Sequence, residues 1–244
     1  MKQYLAGKIR NVALAGHGGC GKTSLAEALL FKARATDRLG KIADGNTVCD
    51  FDPEEVKRKV SVSSAVAPLS WGSVKINLLD TPGLFDFATG FYEGVRAAES
   101  VLIVVSGRSG VSVGTEKAYK LAQQQKKAKM FFVNKLDVEH ADFYKVLEEL
   151  KTAFGPSVCP LVVPHMEDGK VADATSTWWT TRRTYITRTA SPRKFPCPIP
   201  ATGWRVCRTP SARLLPKPMR SSLRSSSPAS SSPATRSCAV SIPA

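Results

Sequence analysis

The sequence predicts an α/β domain on a mostly parallel, doubly wound sheet, and three observations carry that prediction. Short apolar segments alternate with amphipathic helical ones through most of the first 173 residues. A glycine-rich turn, Gly16-His17-Gly18-Gly19-Cys20-Gly21-Lys22-Thr23, joins the first such strand to the first helix. Three polar motifs fall at the carboxyl ends of apolar strands, where open α/β sheets place their ligands.

Ile9–Ala15 is a short apolar strand, and residues 23–32 read as a helix with Leu25, Ala26, Leu29 and Leu30 at helical spacing. The turn between them fits the phosphate-loop pattern G-x-x-x-x-G-K-[ST]. Glycines let the backbone close around phosphate oxygens, and the helix start supplies N–H groups and a favourable dipole. Gly16, His17, Gly18, Gly19, Cys20, Gly21, Lys22, Thr23 and Ser24 are therefore candidate nucleotide-binding residues. Lys22 is expected to reach the outer phosphates, and the Thr23 hydroxyl to hold Mg²⁺. His17 reads as a loop filler.

Residues 34–48 are polar and glycine-punctuated, so a loop is expected. Asp52 followed by Pro53 reads as the N-cap and first position of a short helix. Residues 60–63 read as an alternating strand and Val74–Asp80 as a second one, with the turn at Trp71-Gly72-Ser73. Asp80-Thr81-Pro82-Gly83 follows at that strand's end. Alone it is a common turn. About 60 residues after a phosphate loop, it places Asp80 toward Mg²⁺ through water and the Gly83 N–H toward a terminal phosphate.

Residues 101–105 form an apolar run suited to a strand covered on both faces. Residues 115–128 read as a helix, 130–133 as the next buried strand, 142–154 as an amphipathic helix and 158–164 as a further strand. Asn134-Lys135-Leu136-Asp137 ends the strand at 130–133. The Asp137 carboxylate suits the N1–H and exocyclic amine of guanine, a donor pair that adenine lacks. Asn134 is expected on the O6/N7 edge and on its own loop, with the Lys135 stem over the base.

The net charge of +15 invites a nucleic-acid reading until the charges are located. Up to Asp173 there are 23 Lys and Arg against all 20 acids, a net +3; the remaining 12 Lys and Arg lie beyond it without any acid. An ordinary domain at 1–173 is thus joined to a basic tail at 174–244. That tail holds ten of the 16 prolines, three of the four tryptophans and Ser-rich runs, so disorder is expected of it. It lacks the aromatic–basic periodicity of an RNA-binding segment, and no DNA partner is expected. Six cysteines without metal-ligand spacing suit a reducing cytoplasm. No apolar run approaches the roughly 18 residues of a membrane span, and no signal peptide opens the chain.

The motifs at residues 8–171 resemble the GTP-binding domain of the translational GTPases, most closely elongation factor G and its paralogues. The resemblance rests on the phosphate loop, Asp52-Pro53-Glu54-Glu55, Arg58-Lys59-Val60-Ser61-Val62, Asp80-Thr81-Pro82-Gly83-Leu84-Phe85-Asp86-Phe87, Val111-Ser112-Val113-Gly114-Thr115-Glu116 and Asn134-Lys135-Leu136-Asp137. It implies GTP or GDP with Mg²⁺, metal ligation by Thr23, Ser61 and Asp80, and catalysis served by Lys22 and Gly83. Ser61 stands where the family usually has Thr, and Lys59 where it usually has Gly. Leu84 stands where family members that hydrolyse GTP on the ribosome carry a water-orienting His, which implies slow hydrolysis with binding better preserved. The implied partner is the ribosome, and the implied state is a monomer. The alternative is a non-catalytic GTP-binding module or inactive fragment.

The same resemblance bears on the tail. Re-reading residues 212–226 one base out of frame permits Ser-Glu-Ala-Val-Ala-Glu-Thr-Asp-Glu-Glu-Leu-Leu-Glu-Lys-Phe, an acidic helix similar to the family's. Residues 194–200 give family-like text in the same way. The reading frame is therefore expected to be lost between about Ala172 and Trp178. The sheet is expected to be incomplete in its C-terminal part, lacking one buried strand and its covering helix.

Overall fold

The computed structural model describes residues 3–167, 170–177, 182–185, 193–196 and 238–241. Alternation along each strand decides which layer its side chains join. In β1 (Ile9–Ala15), Ala13 and Ala15 belong to one apolar cluster and Leu14 to the other. The same split separates Val101, Ile103 and Val105 from Val104 in β4 (Ser100–Ser106), and Phe131 and Val133 from Phe132 in β5 (Ala128–Asn134). A strand that is apolar on both faces must be covered on both, and here it is.

One cover is α1 (Lys22–Lys32), which buries Leu25, Ala26 and Leu30. The other face takes α3 (Ala88–Ala97) through Val95, α4 (Val113–Gln124) through Ala118 and Ala122, and α5 (Phe143–Phe154) through Phe143, Val146, Leu147 and Leu150. Asp142 caps α5 by accepting from the backbone of Tyr144 at 2.8 Å and Lys145 at 3.2 Å. Tyr119 and Phe131 stack on Phe154, with centroids 4.2 and 5.1 Å away.

The strand order is β2-β3-β1-β4-β5-β11-β6, with β2 (Ala65–Trp71), β3 (Val74–Asp80), β6 (Cys159–Pro160) and β11 (Cys238–Ser241). All neighbours are parallel except β2 and β3, which form a hairpin. Pro68 lies in β2, the edge strand, where a missing N–H does least harm. A second, antiparallel sheet runs β10-β9-β8-β7, made of β7 (Val162–Glu167), β8 (Lys170–Thr177), β9 (Arg182–Tyr185) and β10 (Arg193–Pro196).

Several expectations are corrected. Residues 60–63 are not a strand; Glu55 of α2 (Pro53–Arg58) accepts from the Val62 and Ser63 N–H groups at 2.9 and 3.0 Å, so the ladder starts only at Ala65. Trp71 ends β2, and the turn is Gly72-Ser73, with Gly72 at φ 58. The helix placed at 115–128 is α4, which stops at Gln124; Lys126 turns left-handed at φ 53 and β5 begins at Ala128. The single strand at 158–164 is split between the two sheets. The sheet position beside β5, expected to be open, holds β11, whose Cys238 to Ser241 pair in parallel with Met130 to Val133. Apart from Ala174 to Thr177 and strands β9, β10 and β11, the tail lies outside the described residues, and so do the re-read segment 212–226 and most of 194–200.

Candidate nucleotide site

The parallel register brings the carboxyl ends of β1, β3, β4 and β5 to one edge of the sheet. Leu14 pairs with Asp80, and Ser106 with Asn134. Thr81, fully buried, donates to the Leu14 carbonyl at 2.7 Å and ties the end of β3 to β1. Each motif therefore starts from a strand held by its neighbours.

Gly21 caps α1 in a left-handed conformation at φ 92, which a side chain would strain. Any Cβ there would also meet the Asn134 amide. Lys22 and Thr23 are buried, while Ser24 is exposed on the first turn. The Lys22 ammonium donates to the His17 carbonyl at 3.0 Å and to that of Gly16 at 3.3 Å. Gly83 lies directly over this loop: a Cβ on it would meet the Lys22 Nζ and come within 2.8 Å of the Gly18 nitrogen. Lys22 and Gly83 are thus brought together.

Thr23, Ser61 and Asp80 also meet. The Thr23 hydroxyl donates to Asp80 Oδ2 at 2.7 Å and lies 3.2 Å from Ser61 Oγ. The other carboxylate oxygen, Asp80 Oδ1, is buried with no hydrogen-bond partner. Burial pushes the Asp80 carboxyl up to about 6; the Thr23 hydrogen bond and the Lys22 charge pull it down, and Asp50 and Glu55 push it further up. Two hydroxyls and an orphaned carboxylate oxygen suit a small hard cation that keeps waters in its shell. The residues present fit Mg²⁺.

Asn134 holds its own loop, as expected, and a second one besides. Its amide donates to the carbonyls of Cys20 and Gly21 at 3.2 and 3.3 Å, and its Oδ1 accepts the Lys135 N–H at 2.9 Å. It braces the phosphate loop as well as its own, because Gly21 has no side chain to hold it off. Lys135 is left-handed at φ 59 and its stem runs past Gly21. Asp137 is exposed.

Leu84 is 38% exposed, and its Cδ2 fills the space above Gly18, where a Cβ would lie 2.9 Å away. His17 packs against Gly114 at the start of α4 and faces Phe85 at 5.9 Å, with Nδ1 buried and unpartnered. Lys117 sits over the Phe85 ring at 3.9 Å. The sequence reading missed three buried carboxylates near this site: Glu27, Asp50 and Glu55. Glu27 accepts the Val48 N–H at 2.6 Å and holds the long loop down. Glu27 lies on α1, Glu55 on α2 and Asp50 in the loop before it; their burial beside the site depends on how these segments pack, which no local pattern shows.

The profile of the Elongation factor Tu GTP binding domain matches residues 7–229. The chain belongs to that family. It is a translational GTPase domain of the elongation factor G type. An elongation factor G-like protein of Mycobacterium tuberculosis is 40% identical over 158 residues, covering 65% of this chain and 22% of that protein. A mitochondrial ribosome-releasing factor 2 of Culex quinquefasciatus is 36% identical over 163 residues, covering 67% of this chain and 22% of that protein. A crystal structure of a Thermus thermophilus protein superposes with a TM-score of 0.72 at 36% identity, covering 78% of this chain and 28% of the other. The chain spans about a fifth of the curated relatives it matches. No helix among the described residues is long and apolar enough to cross a membrane.

Proposed function

We propose that this domain binds GTP and GDP with Mg²⁺ and serves GTP hydrolysis in translation, in a factor of the elongation factor G type. The observation that supports this most is the convergence of Thr23, Ser61 and Asp80 beside a loop whose Lys22 and Gly83 face each other. In this reading Gly16 to Ser24 cradle the phosphates, Lys22 moves from its loop carbonyls to the outer phosphates, and the Gly83 N–H meets the last of them. Thr23 and Ser61 would hold Mg²⁺ directly and Asp80 through water; the cation would neutralise charge building on the phosphates. Asn134 braces the loop, Lys135 covers the base and Asp137 selects guanine. The ribosome is the partner this reading names, since the relatives' own names speak of elongation and ribosome release. It places a monomer in the cytoplasm.

A second reading, a GTP-binding module that hydrolyses poorly, is favoured by Leu84. A leucine over Gly18 offers no polar atom to orient water. The test for base choice is Asp137→Asn. Because Asp137 is exposed, the variant should melt like the parent. Its GDP affinity should drop about tenfold or more and its preference should pass to xanthosine diphosphate, whose C2 carbonyl accepts from the new amide. An unchanged preference rejects the assignment. Following bound GTP in the parent chain then separates the readings: turnover supports the enzyme, persistence of GTP the binding module.

A further inference from the structure

Ser61 is held from both sides. Its hydroxyl donates to Asp50 Oδ1 at 2.6 Å, and its oxygen lies 3.2 Å from the Thr23 hydroxyl, which is itself committed to Asp80. Asp50 is 5% exposed, and its second oxygen takes only a long contact from the Thr47 hydroxyl at 3.4 Å. No ion pair among the described residues involves Asp50. Two buried carboxylates, Asp50 and Asp80, therefore flank the hydroxyl pair without a cationic side chain at salt-bridge distance. Such an arrangement is costly for two ionised carboxylates, and a cation between them relieves that cost.

We propose that Asp50 is a positioning residue for the cation site, accepting the Ser61 O–H hydrogen bond and so turning a Ser61 lone pair toward the space beside Thr23 and Asp80. A hydroxyl can ligate a cation only through a lone pair, and its O–H must then point away from the cation toward an acceptor. Asp50 accepts that O–H in a short hydrogen bond, fixes the rotamer and raises the electron density on the oxygen. This extends the reading above, in which Thr23, Ser61 and Asp80 hold Mg²⁺. It also accounts for a serine at this place: serine lacks the methyl group that restricts a threonine rotamer, so an outer acceptor must fix the hydroxyl instead.

The test is a Mg²⁺ titration of the binding of a fluorescent, non-hydrolysable GTP analogue. Asp50→Ala should raise the Mg²⁺ concentration at half-effect about tenfold or more, the usual cost of losing an outer-shell partner. Asp50→Asn keeps an oxygen that can accept from Ser61 and should shift it by less than about threefold, a rescue that also serves should the alanine variant fold poorly. Ser61→Ala should behave like Asp50→Ala, and the double variant should be no worse than Ser61→Ala alone. Binding measured in excess chelator should be equal in all four. A parent that responds to Mg²⁺ while the Asp50→Ala midpoint stays put overturns this proposal alone, as does a double variant with additive losses. A parent indifferent to Mg²⁺ overturns both this proposal and the cation reading beneath it.

Discussion

Asp80 accepts the Thr23 hydroxyl with one oxygen and buries the other without a partner. An acid forced into that position prefers its proton: burial raises its value from 3.8 to about 6. The folded chain then holds a proton that the unfolded chain releases between those values, so without a cation its contribution to stability is full below about pH 4 and lost as pH rises through about 6. Thermal melts in chelator should fall more steeply between about pH 4 and pH 6 for the parent than for Asp80→Asn, and excess Mg²⁺ should flatten the parent's slope by competing with the proton. Equal slopes in the two proteins would show that Asp80 does not titrate in this range. The place of Asp80 beside Thr23 was legible because it sits in a motif at a strand end. Asp50 was not, since only the path of a long loop brings it to Ser61.

The short helix α2 shows how an element acts beyond its length. Asp52 and Glu55 form a capping box, and the same Glu55 carboxylate reaches Val62, Ser63 and the Ser63 hydroxyl. Those N–H groups would otherwise feed a β-ladder, which is why the alternating residues 60–63 do not become a strand. Removing the carboxylate with Glu55→Ala should cost about 1–3 kcal/mol and speed amide exchange at Val62 and Ser63 while β1 stays protected. Unchanged exchange at those two amides would rule out the anchor. By contrast α5 was readable at once, because Phe143, Val146, Leu147 and Leu150 make one buried stripe. The helix α3 was missed because Gly90 and Gly94 weaken its local signal. Its glycines answer to packing: a Cβ on Gly94 would meet the Thr81 methyl, and one on Gly90 would come within 3.2 Å of Pro82.

For the whole molecule, the question is how the sheet ends beyond β5. The strand β11 lies between β5 and β6 and pairs in parallel with both. The family match likewise continues to residue 229, well past Asp173. A chain cut after residue 229 would leave β5 without its partner along Met130 to Val133. Its thermal midpoint should fall by about 5 °C or more, equivalent to roughly 2 kcal/mol in a protein of this size. An unshifted midpoint would show that β11 adds nothing to stability.

Much of the alternation of strands and helices, and the glycine-rich turn leading into the first helix, could be read from residues, because periodicity and glycine placement are local properties of a chain. What only the folded molecule decided is non-local: that Asn134 braces Gly21, that Glu55 diverts a strand, that Asp50 and Asp80 close on one pair of hydroxyls. Burial and hydrogen-bond partners depend on which distant segments share a neighbourhood, and parallel pairing at the sheet's carboxyl edge sets that neighbourhood here.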